Sequence, residues 1–288
     1  MSTSGETQLP VRVYTSQSPL RQPMEMVRQM FADLLLAREL AWRLFVRDFS
    51  AQYRQSLLGY VWVLLPPLVS TAIWVFLNSQ GILKLDATGM PYPVYVFSGM
   101  LMWDAFVASL NAPMGHVAGS AALLSKINFP REALLMAGLG HVLFNTLIRL
   151  VLLAGVLFYF QVDLPATIVL VPLGVLSVIG LGFMFGVLMV PLGMLYEDVG
   201  RIVGAGVGLL FFLTPVVYAP PTTWPASLLA SVNPISPLLQ FTRDMMTTGS
   251  FAAWPAFALV TTITLLGLAL GWVLYRLAMP HLIARMSA

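Results

Sequence analysis

The sequence contains no cysteine and very little charge, and these two absences narrow the class of protein. Without cysteine the chain forms neither disulfides nor thiolate metal sites. Charged residues make up 9% of the chain, whereas an average soluble domain has about 25%. There is also no G-x-x-x-x-G-K-[S/T] loop, no nucleophile elbow and no zinc signature, and the three histidines are far apart. We therefore expect no cofactor, no metal and no enzymatic activity in this chain itself.

Long apolar stretches fill most of the sequence instead. Six of them carry no charge or very few ionisable groups: 57–78, 92–112, 133–160, 166–195, 202–219 and 255–275. A helix needs roughly 20 apolar residues to cross about 30 Å of hydrocarbon, and only a helix satisfies its own backbone amides there. The sequence predicts an all-α protein with six transmembrane helices, in which residues 57–280 form the membrane domain and 281–288 a cytoplasmic C-terminus.

Positive charges lie mainly on one side of these six predicted spans. If both termini are cytoplasmic, nine lysines and arginines lie inside and two lie outside. The nine are Arg38, Arg43, Arg47, Arg54, Lys126, Arg131, Arg201, Arg276 and Arg285; the two are Lys84 and Arg243. Because such an excess marks the cytoplasmic side, we place both termini in the cytoplasm. This excess also explains the net charge of +3, and no nucleic-acid partner is expected.

The residues before the first span divide into two parts. Residues 1–23 are rich in Ser, Thr, Gln and Pro, a composition that predicts a flexible cytoplasmic tail. In residues 24–56 apolar side chains recur at helical intervals, while Arg43, Arg47 and Arg54 fall on the opposite side. A basic amphipathic helix of this kind is typical of a segment in the membrane interface. It is also suited to dock a cytoplasmic partner, and the two interpretations are compatible.

Glycines recur four residues apart in the later spans. The sets are Gly182 with Gly186, Gly200 with Gly204 and Gly208, and Gly267 with Gly271. Such spacing places small residues on one helix face, where backbones can approach closely. We expect packing within the subunit, with a seam between subunits as the alternative.

The segment 218–254, after the fifth span, is apolar but interrupted by prolines. Neither of its apolar halves, 227–232 and 235–241, is long enough to cross the bilayer. Such broken segments indicate an outer re-entrant or interfacial hairpin that packs on protein. We expect it to act as an outer gate built from Tyr218, Pro220, Trp224, Asn233, Pro234 and Pro237.

A polar stripe lies within the third span. His141, Asn145 and Arg149 are each four residues apart and share one helix face. A charge at mid-span costs roughly 2.5–3.5 kcal/mol on insertion scales, so it usually faces protein or water. The stripe therefore either lines a path for a hydrophilic substrate or is a structural brace. As a brace, Arg149 pairs with Asp104 or a backbone carbonyl, or extends to the outer interface.

Several short motifs occur in one order along the chain. They are Arg47-Asp48-Phe49, Tyr53-Arg54, Ser56-x-Leu58-Gly59-x-x-Trp62, Leu65-Pro66-Pro67-Leu68, Phe129-Pro130-Arg131-Glu132, Tyr196-x-Asp198-Val199, Thr214-Pro215-x-x-Tyr218 and Asn233-Pro234-x-x-Pro237. Together they resemble the ABC-2-type polysaccharide exporter permeases, which export O-antigen, teichoic acid or capsule chains. The resemblance covers about residues 45–280.

The resemblance implies an ABC-2 permease fold, a homodimer and a channel between the two subunits. It also implies two separate ATP-binding-cassette subunits, which bind ATP and Mg, dock on the cytoplasmic face and drive lipid-linked polysaccharide outward across the bacterial cytoplasmic membrane. Periplasmic export components can act downstream. The loop 115–131 is then a lever for the ATPase rather than a simple connector. The coupling candidates are Arg43, Arg47, Arg54, Ser125, Lys126, Asn128, Phe129, Arg131 and Glu132.

Aromatic rings suit a sugar path because their faces stack on sugar C–H surfaces. The channel-lining candidates, beside the polar stripe, are Tyr60, Trp62, Trp74, Phe97, Trp103, Asp104 and Phe106. Many membrane-protein aromatics lie instead in the core or the interface belt. The alternative functions are an ABC-2 drug or lipid exporter and, with less support, an ion-coupled secondary transporter using Asp104, His141 and Arg149. The sequence shows none of the matched inverted repeats that such transporters often have.

Overall fold

The computed structural model describes residues 23–53, 59, 61–81, 90–124, 126 and 129–286. These residues form helices and connections, and no strand occurs among them. The helices are α1 (Pro23–Tyr53), α2 (Val61–Ser79), α3 (Tyr92–Gly119), α4 (Ala121–Leu124), α5 (Glu132–Tyr159), α6 (Val171–Leu195), α7 (Asp198–Leu213), α8 (Ala226–Val232), α9 (Ile235–Met246) and α10 (Trp254–Met286). A 3₁₀ helix, Ala166–Leu170, leads directly into α6.

Five of these helical segments are long and apolar enough to cross a membrane. They are α2, α3, α5, α6 with its preceding 3₁₀ helix, and α10. The prediction of an all-helical membrane protein is therefore confirmed, with five candidate spans among the described residues. Helix α7, in the position of the predicted fifth span, has 16 residues, which is about 24 Å at 1.5 Å per residue.

Helix α3 is the centre of the bundle. It is buried along most of its length and packs against α2, α5, α6 and α9. Its approach to α6 is close because Gly182 and Gly186 face the backbone carbonyls of Phe106 and Leu110, where a Cβ atom would overlap them. This pair therefore packs within the subunit, as expected. Helix α10 covers the other side of α6.

The glycines of α7 are arranged differently from those of α6. Apart from the backbone of α7 itself, no atom of the described residues lies within 4 Å of the place that a Cβ atom would take at Gly200, Gly204 or Gly208. No residue of α7 is buried, and Ile202, for example, is exposed. Helix α7 thus presents an open face of small residues, whereas the glycines of α6 are covered.

Helix α1 packs along α5 through a narrow face of small residues. Ala37, Ala41 and Leu44 are buried in a hydrophobic cluster with the first turn of α5 and the last turns of α10. The larger side chains Phe31 and Trp42 remain exposed. Helix α1 therefore has one face against the bundle and a separate apolar surface, which suits the membrane interface.

The segment between α7 and α10 contains two short helices. At 1.5 Å per residue, α8 (7 residues) is about 10 Å long and α9 (12 residues) about 18 Å. Neither can span a bilayer. Helix α9 is mostly buried and packs against α6, α3 and α10, so the outer segment is an integral part of the bundle.

Candidate functional site

The predicted coupling residues lie where α1, α4 and the start of α5 meet. Leu124 of α4 shares a hydrophobic cluster with residues of α1 and α5. Lys126 is exposed, and Phe129 and Arg131 are partly exposed. This part of the protein, here called the docking end (α1, α4, Lys126 and residues 129–132), therefore carries accessible basic and aromatic side chains.

Three of the predicted coupling residues, Arg54, Ser125 and Asn128, lie outside the described residues. The basic residues of α1 are accessible. Arg43 pairs with Glu39 at 2.6 Å and Arg47 with Asp48 at 2.7 Å, with both arginines exposed. Exposed pairs of this kind contribute little to stability, about 0–1 kcal/mol. Breaking these two ion pairs would therefore cost little free energy, and both arginines can pair with acidic groups of another protein instead.

Glu132 has a different environment from the other coupling candidates. Only 6% of the residue is exposed, and Arg276 of α10 donates a hydrogen bond to its Oε1 at 3.1 Å. The same guanidinium donates to Oδ2 of Asp33 in α1 at 2.7 Å. We call these three residues the Arg276 brace. A buried carboxylate needs a cation nearby, and Arg276 supplies it. The Glu132 side chain therefore points into the bundle and is not accessible to a docking partner.

The Arg276 brace connects the docking end to α10. Asp33 belongs to α1, Glu132 begins α5, and Arg276 lies near the end of α10. The neighbouring Tyr275 donates its hydroxyl to the carbonyl oxygen of Arg131 at 3.1 Å. A displacement of residues 131–132 is thereby linked to both α1 and α10.

The polar stripe of α5 has contacts at both of its ends. The ring of His141 lies 5.7 Å from that of Phe45 and 5.9 Å from that of Phe49, so α1 covers this end. At the other end Arg149 forms an ion pair with Asp104 of α3 at 3.5 Å. Asp104 is thus the partner that Arg149 would need if the polar stripe has a structural role.

Asn145 is partly buried between these two ends. Its Oδ1 accepts no hydrogen bond from the described residues. The nearby Nε of Arg149 likewise has no acceptor among the described residues. The ion pair is partly solvent-accessible, with 16% of the Arg149 and 27% of the Asp104 side chain exposed. The lining role of the stripe stays a prediction.

The aromatic candidates fall into two groups. Phe97, Trp103 and Phe106 are buried in the core of the subunit and face no open path there. Trp62 is exposed and Trp74 partly exposed on α2, while Tyr60 lies outside the described residues. Among the described aromatic candidates, only Trp62 and Trp74 on α2 are accessible enough to line a path.

A buried arginine organises the end of the bundle where α7 ends and α9 begins. Arg243 of α9 is only 5% exposed, and its guanidinium lies over the ring of Tyr95 at 3.7 Å from the centroid. Nη1 donates to the Tyr95 hydroxyl at 2.8 Å and to the carbonyl of Pro215 at 2.7 Å. Nη2 donates to the carbonyls of Tyr95 at 3.2 Å and of Val216. Burial lowers the pKa of Arg243 to about 10, so the guanidinium is still charged at neutral pH.

The acceptors of this arginine belong to the chain that follows α7. The helix ends at Leu213, and the buried residues 214–217 continue in a non-helical conformation. Their remaining carbonyls are also satisfied: Tyr92 donates to Val217 at 3.3 Å, and Tyr95 donates to Tyr218 at 2.8 Å. We call Arg243, Tyr95 and the segment 214–218 the Arg243 clamp.

Two of the predicted gate residues, Asn233 and Tyr218, contact or belong to this clamp. Asn233 is buried, donates to Oγ1 of Thr214 at 2.7 Å and accepts from the backbone N–H of Ile235 at 3.0 Å. Tyr218 donates its hydroxyl to the carbonyl of Phe212 at 2.8 Å. The others are more accessible: Pro220, Pro234 and Pro237 are partly exposed, and Trp224 is exposed. Asn233 thus joins the end of α7 to the start of α9.

Two arginines have structural roles beyond those predicted from the sequence. Arg243 and Arg276 look like ordinary loop charges that set orientation, yet both are centres of hydrogen-bond networks. A usable signal was their position: Arg243 interrupts a buried apolar pattern in α9, and Arg276 follows the last span directly. An acidic residue on the buried face of α1, Asp33, was the corresponding signal for the partner of Arg276.

No cluster of three histidine or acidic side chains suited to a metal ion occurs within the described ranges. Five helices that are long and apolar enough to cross a membrane instead define a multi-pass helical membrane protein.

Comparison with known proteins narrows this class. The chain is similar to O-antigen export system permease proteins named RfbA. A protein from Klebsiella pneumoniae is 23% identical over 209 residues, which is 71% of this chain and 78% of the relative. One from Myxococcus xanthus is 26% identical over 214 residues, 73% of this chain and 81% of the relative. No protein-family model matches. The predicted resemblance to polysaccharide exporter permeases is confirmed by these relatives.

Proposed function

We propose that this chain is the transmembrane permease subunit of an ATP-driven exporter that moves lipid-linked polysaccharide across the bacterial cytoplasmic membrane. The observation that carries the proposal is the similarity to O-antigen export permeases over about 70% of the chain. The similarity extends over about four fifths of the length of those relatives. The substrate is of the O-antigen, teichoic acid or capsule type.

ATP hydrolysis in this proposal belongs to a partner chain. The sequence has no Walker-type loop, and the relatives are described as permeases of export systems. Two ATP-binding-cassette subunits, which carry the ATP and Mg, would contact the docking end. Lys126 is exposed, and Arg43 and Arg47 can exchange their exposed pairs with Glu39 and Asp48 for acidic groups on the partner.

The docking end can transmit movement because its loop is connected to the bundle. Glu132 and Arg131 are held by Arg276 and Tyr275 of α10. Force on the loop therefore reaches α10 directly and reaches α1 through Asp33. This arrangement supports the interpretation of residues 115–131 as a lever.

Helix α7 serves as the fifth of six spans in this proposal, in addition to the five helices that are long enough on their own. Its 16 residues provide about 24 Å, and the buried segment 214–218 continues towards the outer side. Non-helical backbone at membrane depth is tolerated only where protein satisfies it, which is what the Arg243 clamp does. Segment 218–254 then forms the outer re-entrant hairpin. Both termini lie in the cytoplasm, in agreement with the distribution of basic residues.

The functional unit is a homodimer with the transport path between subunits. Helix α7 offers an open glycine face, and α2 is buried over only a small part of its surface. Small residues on such a face allow close approach of a second helix. Exposed Trp62 on α2 would then face the path, together with the Asp104–Arg149 pair where it is accessible.

A deletion in the native host tests the proposal. Cells that lack the gene should lose surface polysaccharide and accumulate the lipid-linked chain on the cytoplasmic side. The wild-type gene on a plasmid should restore the surface polymer. A plasmid carrying a version truncated before α10 is the matched control. Unchanged surface polysaccharide, accompanied by altered sensitivity to drugs, would favour a drug exporter instead.

A further inference from the structure

The outer end of α7 is packed much more tightly than the rest of the helix. Its outer end passes into the Arg243 clamp, where Thr214 and Val216 are fully buried. Along the helix itself no residue is buried, and Ile202 and Leu209 are each about 70% exposed. The contacts that α7 does make are through one stripe, which includes Phe211 against Trp103 with 5.4 Å between ring centroids.

We infer that Arg243 is a positioning residue for export, which holds the outer end of α7 as a fixed pivot about which the rest of α7 moves. This inference rests on the proposed function, because it concerns the motion that opens the transport path. It assigns the movement to the inner part of α7, while the outer hairpin and α3 remain attached to each other.

The contacts of Arg243 favour a fixed pivot over a latch that opens. Nη1 and Nη2 of Arg243 each donate two hydrogen bonds to oxygen atoms of the protein. The guanidinium also lies over the Tyr95 ring. Opening the clamp would leave a buried charge and several buried carbonyls without partners, which is costly in a low-dielectric site.

The surroundings of the clamp also leave no room for sliding. A Cβ atom at Gly99 of α3 would overlap both the carbonyl oxygen of Val216 and the Arg243 guanidinium. Glycine at position 99 thus allows α3 to touch the segment after α7 directly. Interfaces packed this closely have discrete arrangements and do not deform continuously.

A reversible covalent tether distinguishes a pivot from a latch. Oγ1 of Thr214 and Nδ2 of Asn233 are 2.7 Å apart, so cysteines at both positions lie within reach of a short bifunctional thiol reagent with a reducible linker. The chain has no other cysteine. Export is measured in the same cells with the tether closed and after reduction. A pivot predicts equal export in both states, and loss of export on closing, regained on reduction, would overturn the inference.

Replacement of the arginine tests its positioning role. Arg243→Lys keeps the charge but loses the fork that reaches Pro215, Val216 and Tyr95 together. We expect export per molecule to fall about tenfold, which corresponds to about 1.4 kcal/mol, at protein abundance near that of the wild type. Arg285→Lys, at an exposed position of α10, is the matched control and should export normally.

Two further readouts separate positioning from folding. A single cysteine at Val217, which is buried in the clamp, should resist an impermeant thiol reagent in the parent and react in the Arg243→Lys protein. Closing the Thr214–Asn233 tether in that protein should restore export, because it fixes the end of α7 again. Normal export by Arg243→Lys would refute the inference. If the unaltered chain exports no polysaccharide, the proposed function fails instead, while the thiol protection at Val217 still reports on the clamp.

Discussion

Removal of the cation from the Arg276 brace should destabilise the docking end strongly. Arg276→Met keeps a similar aliphatic length but leaves Asp33 and Glu132, whose side chains are only 12% and 7% exposed, without their partner. Breaking a buried ion pair costs about 3–5 kcal/mol. Because 22% of the Arg276 side chain is exposed, we expect a loss near the lower limit, about 3 kcal/mol.

The proposed cause can be separated from a general packing effect. If the cost comes from unpaired carboxylates, then adding Asp33→Asn and Glu132→Gln to Arg276→Met should recover most of the loss. Arg285→Met, an exposed change on the same helix, should alter stability by less than about 0.5 kcal/mol. Denaturant unfolding in detergent, followed by tryptophan fluorescence, measures all four proteins. An Arg276→Met protein within about 1 kcal/mol of the wild type would refute the reasoning.

Four further predictions concern the partner, the docking end, the polar stripe and the hairpin. The purified chain should hydrolyse no ATP until an ATP-binding subunit is added; turnover by the chain alone would contradict the separate-motor assignment. Charge reversal at Lys126 should weaken co-purification of that subunit without reducing membrane insertion, and unchanged co-purification would remove this residue from the docking surface. Asp104→Arg or Arg149→Asp alone should lower protein abundance, and the double swap should restore it, whereas a pure lining role predicts normal abundance in each. Pro234→Ala with Pro237→Ala should lower export more than abundance, and normal export would make the hairpin a simple connector.

The membrane architecture could be predicted from the sequence because its signal is strong. Long uncharged runs such as 166–195 have few alternatives to a buried helix, and glycines four residues apart, as in Gly182 and Gly186, indicate close helix packing. The broken apolar segments after Tyr218 likewise predicted short helices that cannot span the bilayer.

The environment of single polar residues could not be predicted in the same way. Glu132 looks like a loop residue in sequence, yet its partner Arg276 is 144 positions away. Arg243 looks like an outer-loop charge, yet three of its four acceptors are backbone carbonyls, which carry no sequence signal. The aromatics of α3 were also ambiguous, since Phe97 and Phe106 follow the same pattern whether they face the core or a channel. Long-range pairing decides each of these cases, and periodicity reports only the local face.

The central claim is tested most directly by transport in a reconstituted system. The chain is placed in proteoliposomes with its ATP-binding subunit, and lipid-linked polysaccharide is added to the leaflet on the nucleotide side. The account predicts transfer of the glycan to the opposite side that requires ATP and both proteins. Active ATP hydrolysis by the complex with no transfer of any lipid-linked polysaccharide would contradict it.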